Sequence, residues 1–347
     1  MSETVSTWSI VGAGNVGGEI IDMVAKPDVA ARLGLLPTPD YVLRRDGWHE
    51  HGTNGPIGEP DATKLPDSDV LFVSSPSTPD HEPMRTLMHQ QLEGGRIVVT
   101  AEKGTLSEHF GELQRFHNLG YWATVGGGTK LLPSLELHTQ DPENVRNIHL
   151  ALNATLTYIF GEVGSGRDLA QVVDASTKLG YAEPGAISPF DVILSEAAGD
   201  IPRKLAIVWN TIFPDSKPLS PGVIDTKLLE EDVYRALNEA DRYRYLVSLF
   251  QERDEKRAES IAQDKLGGFD IVHEGWIVMG GLQRVDRTNS VGRFKGSNGP
   301  AAGFYVALGP FDQSTIDGET FLMGTGAGGS TTANAMLDNY SHIKRSR

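Results

Sequence analysis

The chain of 347 residues is long enough for two domains, each with its own core. Its net charge of −15 is spread along the sequence without a basic block, which argues against nucleic acid or an anionic membrane as a partner. With no cysteine, disulfides, thiolate metal sites and cysteine nucleophiles are excluded, and a thioester-forming aldehyde dehydrogenase with them. No apolar run reaches the length of a membrane span and residues 1–7 are too polar for a signal peptide, so a cytoplasmic protein is expected.

Residues 8–11 read as a short buried strand. Gly12-Ala13-Gly14-Asn15-Val16-Gly17 follows, three glycines at G-x-G-x-x-G spacing, and then a helical pattern with Val16, Ile20, Met23 and Val24 on one face. Gly12 permits a tight turn, Gly14 leaves the backbone open to a pyrophosphate, and Gly17 lets the helix lie close to the strand. The helix start at Asn15 and Val16 offers free N–H groups to phosphates. A purely structural glycine turn is the competing reading; a strand before and a helix after favour a dinucleotide.

Residues 41–43 form a second strand, followed by Arg44-Arg45 and, one later, Asp46. An acidic residue at this strand end suits the ribose 2′-hydroxyl of NAD, whereas guanidinium groups suit the 2′-phosphate of NADP. NADP is therefore expected, with NAD as the alternative. A third strand, 70–73, ends in Ser74-Ser75, which places Ser75 where a loop passes near the ribose and nicotinamide. After a helix carrying Met84, Leu87, Met88 and Leu92, a fourth strand at 96–100 runs into Ala101-Glu102-Lys103-Gly104. Lys103 then lies on the carboxyl edge where ligands bind in open α/β sheets, although a plain surface lysine fits equally. A fifth strand is expected at 121–125, leading into glycines 126–128 and a helix with Leu131, Leu132, Leu135 and Leu137. Three consecutive glycines cost backbone entropy, so something must approach the main chain closely there. The alternation implies an α/β fold with a Rossmann-type doubly wound parallel sheet.

Past Asp141-Pro142 the pattern changes, and a domain boundary is expected near 145. Residues 148–160 read as a strand turning into a helix, and 169–179 as a helix stopped by Gly180. A further helix at 200–209 puts Asp200 and Lys204 on one face, with Pro202 tolerated in its first turn. Taken alone, that pair reads as a helix cap and its surface partner. Residues 229–262 read as an amphipathic helical region broken once, and 276–279 and 303–308 as strands. The last glycine cluster, 324–329, leads into a helix with Thr332, Ala333, Ala335 and Met336.

Five motifs in this order resemble homoserine dehydrogenase: Gly12 to Gly17; Val99-Thr100-Ala101-Glu102-Lys103; Ala123-Thr124-Val125-Gly126-Gly127-Gly128; Gly180-Tyr181-Ala182-Glu183-Pro184 with Asp200-Ile201-Pro202-Arg203-Lys204; and Gly324-Thr325-Gly326-Ala327-Gly328 with Thr332-Ala333. The resemblance implies interconversion of L-homoserine and L-aspartate 4-semialdehyde by hydride exchange with a nicotinamide, in a likeness to enzymes of threonine and methionine biosynthesis. It implies that Lys204 and Lys103 lie nearest the reacting oxygen, with Asp200 orienting Lys204 or the substrate and Glu183 holding the substrate ammonium. A lysine can relay the hydroxyl proton if desolvation and a second ammonium lower its pKa. Further substrate contacts are implied at Tyr181, Gly127, Gly128 and Thr155. Cofactor contacts are implied at Gly12, Gly14, Asn15, Val16, Gly17, Arg44, Arg45, Ser75, Lys103 and Gly326. The domains would be 1–145 for the dinucleotide, completed by a C-terminal helix at 326–342, and a mixed α+β domain at 146–325 for substrate and homodimer formation.

Several residues depart from the family pattern. Trp122 stands where a glutamate usually helps bind a monovalent cation, and Lys130 follows the glycines, so no metal site is expected. The segment from Glu183 to Asp200 is long, and both Asp191 and Glu196 are candidates for a second substrate-binding acid. Ala154 replaces a usual glycine, and Ser74-Ser75 replaces an acidic strand end. A related dehydrogenase acting on another small amino or hydroxy acid stays open, as does a non-catalytic cofactor-binding sensor. Some members of the family carry a C-terminal amino-acid-sensing domain, and none is expected here.

Overall fold

The computed structural model describes residues 5–50, 55–58, 68–182, 188–309 and 318–347. It divides into two compact units, Met1–Thr124 with Gly328–Arg347, and Val125–Ala327.

The first unit is built on six strands: β1 (Trp8–Val11), β2 (Tyr41–Arg44), β3 (Gly47–Glu50), β4 (Val70–Val73), β5 (Ile97–Thr100) and β6 (Leu119–Gly120). Their spatial order is β3-β2-β1-β4-β5-β6, parallel throughout except for the antiparallel β2–β3 pair. β4 is a continuous apolar run, and β1 and β5 are apolar but for the buried Ser9 and Thr100, because both faces of each strand are covered. Trp8, Phe72 and Tyr340 stack edge to face at 5.7 and 6.0 Å, which ties the sheet centre to the C-terminal helix Gly329–Ser346. That helix buries Ala333, Met336, Leu337 and Ile343 in the same core as Ile20 and Val24 of helix Asn15–Val24.

Two elements of this unit differ from expectation. The fifth strand ends at Gly120, and Trp122–Thr124 is a 3₁₀ turn in which Thr124 bonds the Tyr121 carbonyl through both its N–H and its hydroxyl. Gly120 lies against Asn339, whose side-chain oxygen accepts from the Trp122 N–H, so the C-terminal helix takes the place of further strand pairing. β3 was not expected. It folds back on β2 through a two-residue turn, Arg45-Asp46, and covers the sheet edge.

The second unit carries β7 (Val145–Ala151), β8 (Tyr243–Gln251), β9 (Leu266–His273), β10 (Trp276–Arg284), β11 (Ala301–Leu308) and β12 (Gly318–Thr325), in the order β12-β11-β7-β8-β10-β9 and entirely antiparallel. Helix Ala154–Gly164 packs on β8 and β11, and helix Glu255–Ala262 on β8 and β10. Residues 125–144 belong to this unit, so the division falls earlier than the change of pattern at Asp141-Pro142 suggests. Helix Leu131–His138 packs on β11 and on helix Ile201–Ile212.

The region 229–262 is not helical with one break. It contains helix Glu230–Leu237, then β8, then helix Glu255–Ala262. β8 is buried along almost its whole length, and its charged residue does not lie on a wet face. Arg244 donates to the carbonyls of Ala240, Tyr243 and Ser297, and burial pushes its pKa down to about 10. β9 and β12 were also not anticipated. In β9, Gly268 meets β10 so closely that a Cβ would collide with the Gly280 carbonyl, and a bulge follows.

Candidate active site

In the first unit the glycine-rich turn leaves the carboxyl end of β1. Gly12 has φ +87°, and a Cβ there would stand 2.9 Å from the Ser75 backbone nitrogen. A Cβ at Gly17 would collide with the Gly12 carbonyl, whereas at Gly14 it would meet no atom of the described residues within 4 Å. Helix Asn15–Val24 starts here with neither a side-chain cap nor an acid in its first turn. Its free N–H groups and dipole are thus left to an anion, and Gly14 provides the open approach. Ser74 donates to the Gly12 carbonyl at 2.9 Å and ties the end of β4 to this turn.

Arg44 and Arg45 are exposed at the end of β2, beside the exposed Asp46. Lys103 is half-buried just past β5. The neighbouring Glu102 is buried, and its carboxylate accepts from the N–H groups of Gly104 at 2.7 Å and Thr105 at 2.9 Å. These two bonds satisfy the first N–H groups of helix Gly104–Glu108 and hold the backbone on both sides of Lys103.

In the second unit Asp200 is not the start of a helix. One helical path runs through Pro189–Ser195, a π turn at Glu196–Asp200, and Ile201–Ile212. Asp200 makes no capping bond, so the cap reading fails. The missing N–H of Pro202 cannot serve the helix ladder, and the wide turn just before it lies where that bond is lost.

Lys204 sits 2.7 Å from Asp200, with side chains only 11 % and 16 % exposed. Its ammonium also donates to the Leu152 carbonyl at 2.9 Å. Removing both charges from water is costly, and these bonds offset the cost. Asn153 donates from one amide nitrogen to Glu196 at 2.6 Å and Asp200 at 2.9 Å, while its oxygen caps helix Ala154–Gly164 through the Leu156 N–H. Asn153 was missed by sequence reasoning; its only signal is a cap-type residue before a helical pattern. Of the two candidate acids, Asp191 closes a capping box with Ser188, and Glu196 joins the cluster.

The remaining expected residues are placed as follows. Thr155 donates to the Tyr181 carbonyl at 2.7 Å, and the rings of Tyr181 and Tyr158 pack edge to face. Glu183 lies outside the described residues. Gly127, with φ +52°, is approached by Gly326, whose oxygen would stand 2.9 Å from a Cβ there. Gly326 in turn leaves no room for a Cβ beside Ala302. The close approach that the glycines require is therefore made by the protein's own second glycine cluster. Gly128 is exposed. Trp122 packs its ring on His342 at 4.9 Å.

A family model described as homoserine dehydrogenase matches residues 133–340. A homoserine dehydrogenase from Mycobacterium tuberculosis is 25% identical over 98% of this chain and 72% of its own length. The solved homoserine dehydrogenase of Thermoplasma acidophilum superposes with a TM-score of 0.71 at 19% identity, covering 98% of this chain and 99% of that one. A hyperthermophilic archaeal homoserine dehydrogenase, solved in complex with NADPH, superposes with a TM-score of 0.62 at 17% identity, covering 99% and 98%. The chain belongs to the homoserine dehydrogenase family of NAD(P)-dependent oxidoreductases.

Proposed function

We propose that the chain interconverts L-homoserine and L-aspartate 4-semialdehyde, with NADP in preference to NAD. The nicotinamide, when bound, supplies or accepts the hydride. The observation that carries the reading is the buried Lys204 ammonium held between Asp200 and the Leu152 carbonyl, an arrangement that a surface helix pair does not need. In the reducing direction Lys204 is placed to give a proton to the oxygen of the former aldehyde as negative charge develops on it. In the oxidising direction the hydroxyl proton returns to it. Asp200 and Asn153 fix its position, and Glu196 and Glu183 are assigned to the substrate ammonium. The first unit takes the dinucleotide at Gly12, Gly14, Asn15, Val16, Gly17 and Ser75. Lys103 lies on the carboxyl edge of the same sheet, and Arg44 and Arg45 take the 2′-phosphate. The second unit takes the substrate and forms a homodimer.

A related small amino acid is the second reading. It is favoured by Glu196 reaching Asn153 from the long segment before Asp200. Initial rates of NADPH and NADH oxidation with aspartate 4-semialdehyde test both. Rapid, substrate-dependent turnover supports the first reading. Cofactor binding without turnover overturns it and leaves the second.

A further inference from the structure

The turn between β2 and β3 holds two opposed kinds of side chain. Guanidinium groups at this strand end favour a 2′-phosphate, and a carboxylate favours a 2′-hydroxyl. Arg44 closes β2, and Arg45 and Asp46 form the turn itself, since Arg44 pairs with Gly47 across the hairpin. Left free, Asp46 would repel the phosphate that its neighbours attract.

β3 places a partner for it. Trp48 is buried, and Gly47 admits no Cβ because one would collide with the Gly58 carbonyl, so the strand is pinned on both sides of its first bond. His49, the next residue, keeps its side chain only 14 % exposed and brings Nε2 to 2.9 Å from Asp46 Oδ1. This hydrogen bond, helped by the charge of Arg44, holds the Asp46 carboxyl below the usual carboxylate range. Both an imidazole protonated on Nε2 and an imidazolium can donate it, so the contact does not depend on the charge of the ring.

We propose that His49 sets the nucleotide preference by engaging the Asp46 carboxylate within its own turn, leaving Arg44 and Arg45 to receive the 2′-phosphate. The inference rests on the NADP reading above. Without His49, Asp46 is released to accept from the 2′-hydroxyl of NAD and to repel the phosphate of NADP. His49 is a positioning residue here: it acts through Asp46 and not on the nucleotide.

The experiment measures dissociation constants of NADPH and NADH by nicotinamide fluorescence, in the full chain without substrate. His49→Ala should raise the ratio of the NADPH constant to the NADH constant about three- to five-fold, the size expected of one exposed ionic contact. His49→Gln, whose amide can still donate, should keep the ratio near that of the parent. In an Asp46→Asn background, His49→Ala should leave the ratio unchanged. The inference is overturned if His49→Ala does not move the ratio, or moves it equally with and without Asp46. The NADP reading fails by a different result: Arg44→Ala and Arg45→Ala weakening both nucleotides alike. An Asp46-dependent shift on His49→Ala would stand even then.

Discussion

The Asn153 carboxamide donates to Asp200 Oδ2 at 2.9 Å, so the carboxylate beside Lys204 is held from the start of a different helix. The same side chain caps that helix, and the two roles can be separated. Asn153→Ser keeps a capping oxygen but is too short to bridge Glu196 and Asp200; Asn153→Ala loses both. The serine variant should melt close to the parent, while the alanine variant loses about 1 kcal/mol. Both should lower kcat by roughly ten-fold or more, because each loses the preorganising bond that holds Asp200. Thermal melts and steady-state kinetics on the pair check this. Equal kcat in parent and serine variant would reduce Asn153 to a cap.

Lys204→Met removes the ammonium and keeps most of its volume. Turnover should fall by about two to four orders of magnitude, the usual share of a positioned proton donor. The NADPH dissociation constant should stay within about two-fold, since the cofactor turn is built from other residues. Rates within a few-fold of the parent would remove Lys204 from the proton path.

Gly14→Ala and Gly17→Ala should fail in opposite ways. A Cβ at Gly14 meets no atom of the described residues within 4 Å, so that variant should melt like the parent and bind NADPH poorly. At Gly17 the added carbon runs into the Gly12 carbonyl, and overpacking of this kind costs about 1–3 kcal/mol. Melting curves with and without NADPH distinguish the two. An unstable Gly14→Ala would show that the open side of the turn is not open.

His149 on β7 gives the fold an acid limit. Its Nδ1 lies 2.8 Å from Ser248, which donates onward to Gln283, and its Nε2 lies 2.6 Å from Ser290. The network assigns a neutral ring with the proton on Nδ1. Burial, with a smaller contribution from the charge of Arg257, pushes its pKa down to about 3. The unfolded chain binds this proton near the ordinary value and the folded chain does not. Stability from this group is thus complete above about pH 6.5 and drains away as the pH falls toward 3. The loss is on the order of a few kcal/mol across that window. Urea unfolding at pH 7, 5.5 and 4.5 should show the slope, and His149→Gln should flatten it by one proton. An unchanged slope would place the acid sensitivity elsewhere.

Much of the first unit was legible because parallel strands buried on both faces are written as unbroken apolar runs, as in Val70 to Val73, and its turn chemistry is local. β8 was not legible. Its Arg244 looks like a solvated charge until the carbonyls around it, from residues as distant as Ser297, are in place. The site divides the same way. Asp200 and Lys204 share a face at a spacing that any helix supplies. Asn153, by contrast, comes to them from 47 residues away in sequence, and nothing local announces that meeting. The glycines at 126–128 showed that something approaches the chain, but not that Gly326 of the same protein is what approaches.

The wide turn from Glu196 to Asp200 also lets the site absorb a change of length. A π turn holds one residue more than an α-helix needs. Deleting Gly199, where a side chain would meet no other part of the described residues within 4 Å, would close it to regular helix. Because five residues in the wide turn cover nearly the same angle as four in an α-helix, the helix before the deletion would keep its phase relative to Lys204. Glu196, Asp200 and Lys204 would stay on their present faces. A lineage could thus gain or lose a single codon here with every chemical group still in place.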